Sequence, residues 1–212
     1  WPEVRDIIFA GRLFSALCGA ATVPLVYALA GRLGAGRWAW LAGALMALSP
    51  GHLEHSHFAT VDVPVTFFVA LCLFLTVCAN SRRQLLWAAL VAGFAASTKY
   101  KGLLVLVAPM MALFLLPHAP TNGQRRDLEG GAGCLVLLAV ALAGFFLFTP
   151  YALLAFGEFW GDGVARGFAF ELLTHPHLGS GEIFRGTGNG WWYYACFNLP
   201  YAMTAPLWTA TD

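Results

Sequence analysis

The chain has 212 residues, of which 59% are hydrophobic and only 11% are charged, and its formal net charge is +1. Soluble domains carry about 25% charged residues, and a soluble fold of this length lacks the interior to bury so much apolar surface. The composition therefore excludes an ordinary soluble domain and predicts an all-α, polytopic transmembrane helical bundle. The sequence has no basic stripe with interleaved aromatics, which argues against a nucleic-acid partner.

Apolar runs separated by polar connections predict the membrane helices in chain order. They cover residues 13–30, 38–49, 63–79, 85–97, 102–116 and 134–148, and a weaker run covers residues 191–208. A bilayer core of about 30 Å needs about 20 helical residues, so the shorter runs must continue into their polar flanks to span it. We expect six to seven helices in all.

The domain organisation follows from these runs. We expect transmembrane core helices over 1–149, an outward juxtamembrane helix and loop over 150–190, and the start of a further transmembrane helix over 191–212. Aromatic residues interleaved with charged ones predict an interfacial helix over 151–167. Because the chain begins at Trp1 rather than at a methionine, we expect it to be part of a longer protein.

Arginines mark one face of the predicted bundle. If the helices alternate in direction, the first, third and fifth connections share one side, and they carry Arg32, Arg37, Arg82, Arg83, Arg125 and Arg126. Because positive residues in short loops favour the cytoplasm, we expect a multi-pass protein of the plasma (inner) membrane whose opposite face points outward. The runs 38–49 and 85–97 each cover only about 20 Å, which predicts a recessed polar chamber at that outward face.

The second connection, on the outward face, holds the densest group of chemically active side chains. Its members are His52, Glu54, His55, His57 and Asp62. One interpretation is a metal site formed by His55, His57 and Asp62, because these side chains ligate divalent metals, although their spacing matches no known metal motif. A second makes Asp62, with Glu54 and His57, an acidic or substrate-orienting site. A third makes Asp62 a helix cap.

The remaining candidates are cations and histidines. Lys99 and Lys101 are the only lysines of the chain, and both follow a predicted helix at its outward end. A lysine ammonium suits a phosphate group, and the alternative is snorkelling toward lipid headgroups. Arg12, expected at the start of the first helix, is a candidate for contact with a lipid phosphate or for anchoring that helix. His175 and His177, in the outward loop, are candidates for acceptor contact, with a solvated loop as the alternative.

Several motifs, taken in order, resemble the GT-C glycosyltransferases of family 39, which include protein O-mannosyltransferase-like and aminoarabinose-transferase-like enzymes. Residues 11–17 (GRLFSAL) are similar to the Arg-led helix start of the family, and residues 56–62 (SHFATVD) to its S-x-x-A-x-x-D turn. Residues 87–101 are similar to its Trp- and Gly-containing helix that ends in Thr-Lys, with Ala in place of the second Gly. Thr-Pro-Tyr at 149–151 also fits, as does a His-Leu-Gly loop before Trp-Trp-Tyr-Tyr.

The resemblance implies a membrane glycosyltransferase that takes a sugar from a polyprenyl-phosphate donor. Transfer, with inversion, would be to a protein, lipid or glycan acceptor on the non-cytoplasmic face. The general base of the family is a carboxylate of the first outer loop, which we expect upstream of Trp1. Asp62 then corresponds to the second acidic position and Lys99 to a phosphate contact, while His57 stands where many relatives carry a basic residue.

Partners and rival functions complete these expectations. Membrane lipid is an expected partner, and a divalent metal is the cofactor to consider. The alternative functions are a multi-pass secondary transporter and a non-catalytic membrane subunit. Transporters are often built from internal repeats, and no such repeat is visible in this sequence.

Overall fold

The described part of the chain is entirely helical in its regular structure. A computed structural model describes residues 2–116, 130–161 and 167–169, and within these ranges no strand occurs. The chain divides into two compact units, Trp1–Phe148 and Thr149–Asp212. The predicted helix over 191–208 and the candidate acceptor contacts His175 and His177 lie outside the described residues.

The helices follow one another with short connections. In the first unit they are α1 Pro2–Ala30, α2 Ala39–Leu48, α3 Pro50–Ser56, α4 Asp62–Cys78, α5 Leu85–Thr98, α6 Val107–Leu115 and α7 Gly130–Phe148. The turn Gly31–Ala35, in which Gly34 has a φ of 91°, and the 3-10 turn Gly36–Trp38 join α1 to α2. Further 3-10 turns, Arg82–Gln84 and Tyr100–Leu106, precede α5 and α6.

The first helix begins earlier than the apolar pattern predicts. Pro2 suits a first helical turn, where a backbone N–H has no partner within the helix, and Glu3 interacts favourably with the positive end of the helix dipole. The helix therefore starts in a polar stretch that hydropathy alone does not assign to it. Arg12 lies well inside α1, so the expectation that it marks the helix start is wrong.

The second connection, expected to be a loop, is partly helical. Ser49 is extended (φ −64°, ψ 116°), as residues before proline tend to be, and Pro50 then opens α3 as its first residue. The helix ends at Ser56, and residues 57–61 lead into α4. Most of the polar segment is thus fixed by helical geometry.

Two stretches of the described residues are long and apolar enough to cross a membrane. They are Glu3–Leu48, which contains α1 and α2, and Gly130–Phe148, which is α7. Asp62–Cys78 and Tyr100–Leu115 are apolar but shorter. The all-α character is confirmed over the described residues, whereas the count of six to seven spanning helices stays a prediction.

The core of the first unit forms around α5, whose small side chains allow close packing. Ala88, Ala89, Ala92 and Ala95 are fully buried in a cluster that also contains side chains of α4 and α7. Small residues let neighbouring helix backbones approach each other closely. Because the connection between α4 and α5 is short and the two helices pack together, the start of α4 lies beside the end of α5.

The second unit contains two short helices, α8 Tyr151–Leu154 and α9 Phe156–Trp160. Ala155 breaks the chain direction between them with φ −130° and ψ 57°. The expectation of one continuous helix is therefore wrong over the described residues. The Tyr151 hydroxyl donates a hydrogen bond to the Glu158 carboxylate, and the rings of Phe156 and Trp160 stack with centroids 5.9 Å apart.

Candidate functional site

Asp62 and Lys99 form an ion pair between two separate connections of the bundle. The Lys99 Nζ lies 2.6 Å from Asp62 Oδ1, and the two side chains are 44% and 49% exposed. An ion pair this exposed stabilises a fold by about 0–1 kcal/mol, so it holds little of the structure together. Both charged groups remain accessible to a ligand.

Asp62 is placed by the start of α4. Val61 occupies the N-cap position without a side-chain hydrogen bond, and Asp62 is the first helical residue. Its carboxylate bonds to Lys99 rather than capping the helix, although a negative charge in this turn is still favourable. The capping interpretation therefore does not account for the side chain's contact.

Lys99 is placed by the way α5 ends. Thr98 is the last helical residue, and Lys99 turns to an extended conformation with φ −152° and ψ 123°. The N–H of Gly102 donates to the Lys99 carbonyl at 2.7 Å and closes the turn. A Cβ at Gly102 would lie 2.5 Å from the Ala95 carbonyl oxygen, so only glycine fits there.

The polar segment before Asp62 lies against α1. Gly11, Ser15 and Gly19 are spaced four residues apart on one face of α1, and we call them the α1 seat. A Cβ on Gly11 would touch Ala59 Cβ at 3.0 Å, and the Ser15 hydroxyl donates to the Thr60 carbonyl at 3.2 Å. Ser15 is 1% exposed, so this contact is enclosed within the protein.

Gly19 forms the third point of the α1 seat and contacts α3. A Cβ there would collide with Ser56 Oγ and lie 3.1 Å from Ser56 Cβ. The His52 Nε2 lies 3.1 Å from the Gly19 carbonyl oxygen. Small residues thus allow the backbone of the second connection to lie directly on α1.

The other candidates are not joined to the pair. Glu54, Lys101 and Arg12 are exposed and make no hydrogen bond or ion pair with a described residue. The His57 Nδ1 is paired instead with the Leu53 carbonyl at 2.7 Å, within its own helix end. The structure therefore brings together one carboxylate and one lysine of the predicted set.

The metal interpretation lacks a ligand group among the residues that the structure describes. Within these ranges no group of three or more His, Cys, Asp or Glu side chains is arranged to hold a metal ion. His55, His57 and Asp62 all belong to the described residues, and they do not converge. As placed, these three residues do not fit a metal ion.

Arginines lie at the other end of α4 from the ion pair. The 17 residues of α4 separate its two ends by about 25 Å. Arg82 and Arg83 follow α4, and the Arg82 Nη2 lies 3.5 Å from the carbonyl oxygen of Leu116, which follows α6. The third connection and the end of α6 therefore meet at one end of the bundle, while Asp62 and Lys99 meet at the other.

Sequence reasoning did not find the residues that position this pair. The four-residue spacing of small residues in the α1 seat is the one sequence feature that indicates them, because such spacing is typical of a helix face against which another backbone packs closely. The sequence places His52 in the polar segment but indicates no role for it. Gly102 carries no signal of its own, because the need for glycine depends on how closely the turn passes over Ala95.

Residues 4–149 match the sequence profile of a known family, described as dolichyl-phosphate-mannose-protein mannosyltransferase. The chain belongs to this family. The matched range contains α2 to α7 and most of α1, and with them the α1 seat, Asp62 and Lys99. The family resemblance of the motifs is therefore confirmed.

Two relatives of this mannosyltransferase-family chain extend the comparison. The chain is 29% identical over 221 aligned positions to undecaprenyl phosphate-alpha-4-amino-4-deoxy-L-arabinose arabinosyl transferase 1 of Pseudomonas fluorescens. The alignment covers 95% of this chain and 36% of the relative. The chain is 36% identical over 144 positions to an uncharacterized protein of Aquifex aeolicus, covering 66% of this chain and 28% of that protein. The chain thus spans about a third of these relatives' lengths. No solved structure matches it significantly.

Proposed function

We propose that the complete protein is a membrane glycosyltransferase that transfers a sugar from a polyprenyl-phosphate donor to an acceptor on the non-cytoplasmic face. The observation that carries this proposal is the accessible Asp62–Lys99 pair within a family-matched helical bundle. Family membership supports the reaction class, and the Pseudomonas relative is named as an arabinosyl transferase of an undecaprenyl phosphate-linked sugar. The pair supplies the charges that such a donor requires.

Lys99 is the proposed contact for the donor phosphate. Its side chain is 44% exposed at the end of α5, so a lipid phosphate can approach it from outside the bundle. When the bond between the anomeric carbon and the phosphate oxygen breaks, negative charge grows on the departing phosphate, and a fixed cation stabilises that charge. Arg12, which is exposed and unpaired among the described residues, is a second candidate contact for the same group.

Asp62 is the proposed partner that orients Lys99. The carboxylate fixes the long lysine side chain in one direction before the donor arrives, which lowers the entropic cost of binding. Asp62 also occupies the second acidic position of the family motif. Glu54 and His57, exposed on the same segment, are proposed substrate contacts.

The proposed reaction is a single displacement at the anomeric carbon. A carboxylate upstream of Trp1 removes a proton from the acceptor nucleophile, which attacks the anomeric carbon from the side opposite the phosphate. A new bond to the acceptor forms as the bond to the phosphate oxygen breaks, and the lipid phosphate keeps the electron pair. Inversion of the anomeric centre follows. The proposed location is the plasma (inner) membrane, with the Asp62 end of α4 facing outward.

The test uses the complete protein reconstituted with a polyprenyl-phosphate-linked sugar, with sugar transfer measured per folded molecule. Lys99→Ala and Asp62→Asn should each lower transfer by about a hundredfold, the scale of losing one electrostatic contact to a transition state. Arg83→Ala is the matched control, since it removes an exposed cation at the opposite end of α4. Wild-type rates in both site variants would refute the site, and absence of transfer by the wild type would refute the function.

A further inference from the structure

Docking on α1 holds the short helix α3 in place. Helix α3 has seven residues, and no side chain caps its N-terminus. An isolated helix of this length is not stable in water, because nucleation costs more than a few hydrogen bonds return. Within α3, Ser56 donates to the His52 carbonyl at 2.6 Å, which adds a local bond but no anchor to the rest of the bundle. Contacts with α1, beside smaller ones with α2 and α4, supply that anchor.

His52 provides the side-chain hydrogen bond between α3 and α1. Its Nε2 lies 3.1 Å from the Gly19 carbonyl oxygen, and the ring is partly buried. A carbonyl oxygen only accepts hydrogen bonds, so the Nε2 of His52 must carry the proton. Carbonyl oxygens have two lone pairs, so Gly19 can accept this bond in addition to its helical one.

A short connection links α3 to Asp62 of the ion pair. Residues 57–61 connect α3 to Asp62, and Ser15 holds Thr60 in the middle of that connection. The segment therefore has two hydrogen bonds to the α1 seat, at Gly19 and at Ser15. Loosening the Gly19 attachment leaves the chain before Asp62 held by one hydrogen bond, from Ser15, and by the packing of Ala59 on Gly11.

We propose that His52 is a positioning residue: by donating from Nε2 to the Gly19 carbonyl it fixes α3 on the α1 seat and so holds Asp62 against Lys99. The inference rests on the proposed function, because transfer activity reports the geometry of the pair. His52 itself does not touch the reacting atoms. We expect any side chain that places an N–H within hydrogen-bond distance of the Gly19 carbonyl to replace the ring of His52.

The experiment compares two substitutions of His52 in the reconstituted complete protein. His52→Leu removes the donor and should lower kcat about tenfold or more with a smaller change in KM, because misplacement of a catalytic group by about 1 Å costs up to a hundredfold. His52→Gln keeps an amide N–H at similar reach and should retain activity within about threefold of wild type. Leu53→Ala, which truncates the exposed neighbour on the same helix, is the matched control and should leave transfer unchanged.

A double variant separates positioning from general stability. In a Lys99→Ala background, adding His52→Leu should cause little further loss, because the pair that His52 positions is already gone. A purely structural role predicts the full additional loss and would overturn the inference. Equal impairment of His52→Gln and His52→Leu would also overturn it, since the ring would then take part in the chemistry.

The remaining outcomes distinguish this inference from the proposed function. If His52→Leu transfers at the wild-type rate while Lys99→Ala is impaired, the inference is wrong and the function stands. If Lys99→Ala is itself unimpaired, the inference and the role of Lys99 are both wrong, and the function is refuted only if the wild type transfers no sugar. Should His52→Leu yield no folded protein, His52→Ala decides, because it removes the donor to the Gly19 carbonyl without adding volume. A lowered kcat in this variant supports the inference, and a wild-type rate refutes it.

Discussion

Gly93 of α5 and Gly144 of α7 face each other where the two helices cross. A Cβ on Gly144 would lie 3.4 Å from the Cα of Gly93 and 2.5 Å from the Leu90 carbonyl oxygen. A Cβ on Gly93 would collide with the Ala141 carbonyl and lie 2.8 Å from the Phe145 nitrogen. Each obstacle includes backbone atoms, which cannot rotate away, so the crossing depends on both glycines.

Gly93→Ala should therefore destabilise the bundle. Overpacking of a close helix contact costs about 1–3 kcal/mol, and this clash with backbone should fall at the upper end. Thermal unfolding of the complete protein in detergent would measure the loss as a lowered Tm. Gly131→Ala is the control on α7, because a Cβ there meets nothing within 4 Å. An unchanged Tm for Gly93→Ala would contradict the close crossing.

The turn after α5 gives a prediction about Lys99. Gly102→Ala places a methyl group 2.5 Å from the Ala95 carbonyl oxygen and should shift the turn that carries Lys99. We expect transfer to fall about tenfold, with KM for the donor raised, because the phosphate contact moves. The measurement is steady-state kinetics of transfer at varied donor concentration.

A second substitution checks the cause of that loss. Ala95→Gly removes the Ala95 Cβ, which lies only 3.0 Å from the added methyl group, but leaves the carbonyl clash in place. The double variant Gly102→Ala with Ala95→Gly should therefore remain impaired. Restored activity would show that the side chain, and not the backbone of Ala95, is the obstacle.

The apolar runs predicted the helices of the first unit well, because hydropathy dominates this composition. They did not predict α3, since Pro50–Ser56 has no apolar periodicity and depends on docking to α1. The early start of α1 was missed for a related reason: its first turn is polar and is set by Pro2 and Glu3 rather than by burial. Local backbone preferences and tertiary contacts decided both cases.

The candidate site was predictable in outline but not in detail. Alternation of the helices put the second and fourth connections at one end, so a meeting of their carboxylates and lysines could be expected. Which lysine forms the pair depends on where α5 ends and how the chain turns at Lys99, and Lys101 is separated from Asp62 by that turn. The position of this helix end and of this turn cannot be predicted from the spacing of residues in the sequence.

The sidedness of the membrane protein is directly testable. In a cysteine-free background, Glu54→Cys and Tyr100→Cys should react with a membrane-impermeant maleimide added outside intact cells, because both positions are exposed near the ion pair. Arg83→Cys, exposed at the other end of α4, should react only after the membrane is permeabilised. Labelling of positions 54 and 83 from the same side would contradict a spanning α4.

The Asp62–Lys99 pair should matter for activity far more than for stability. Because both side chains are about half exposed, Asp62→Asn should change the free energy of unfolding by about 1 kcal/mol or less.

Exchanging the two residues, as Asp62→Lys with Lys99→Asp, permits an ion pair of opposite direction but places a cation in the first turn of α4, where the helix dipole disfavours it. The exchange also presents a carboxylate to the donor phosphate. We therefore expect the exchanged protein to fold, with a free energy of unfolding within about 2 kcal/mol of the wild-type value. It should show no measurable sugar transfer. Recovery of transfer in the exchanged protein would mean that only pairing matters, and that Lys99 does not bind the phosphate.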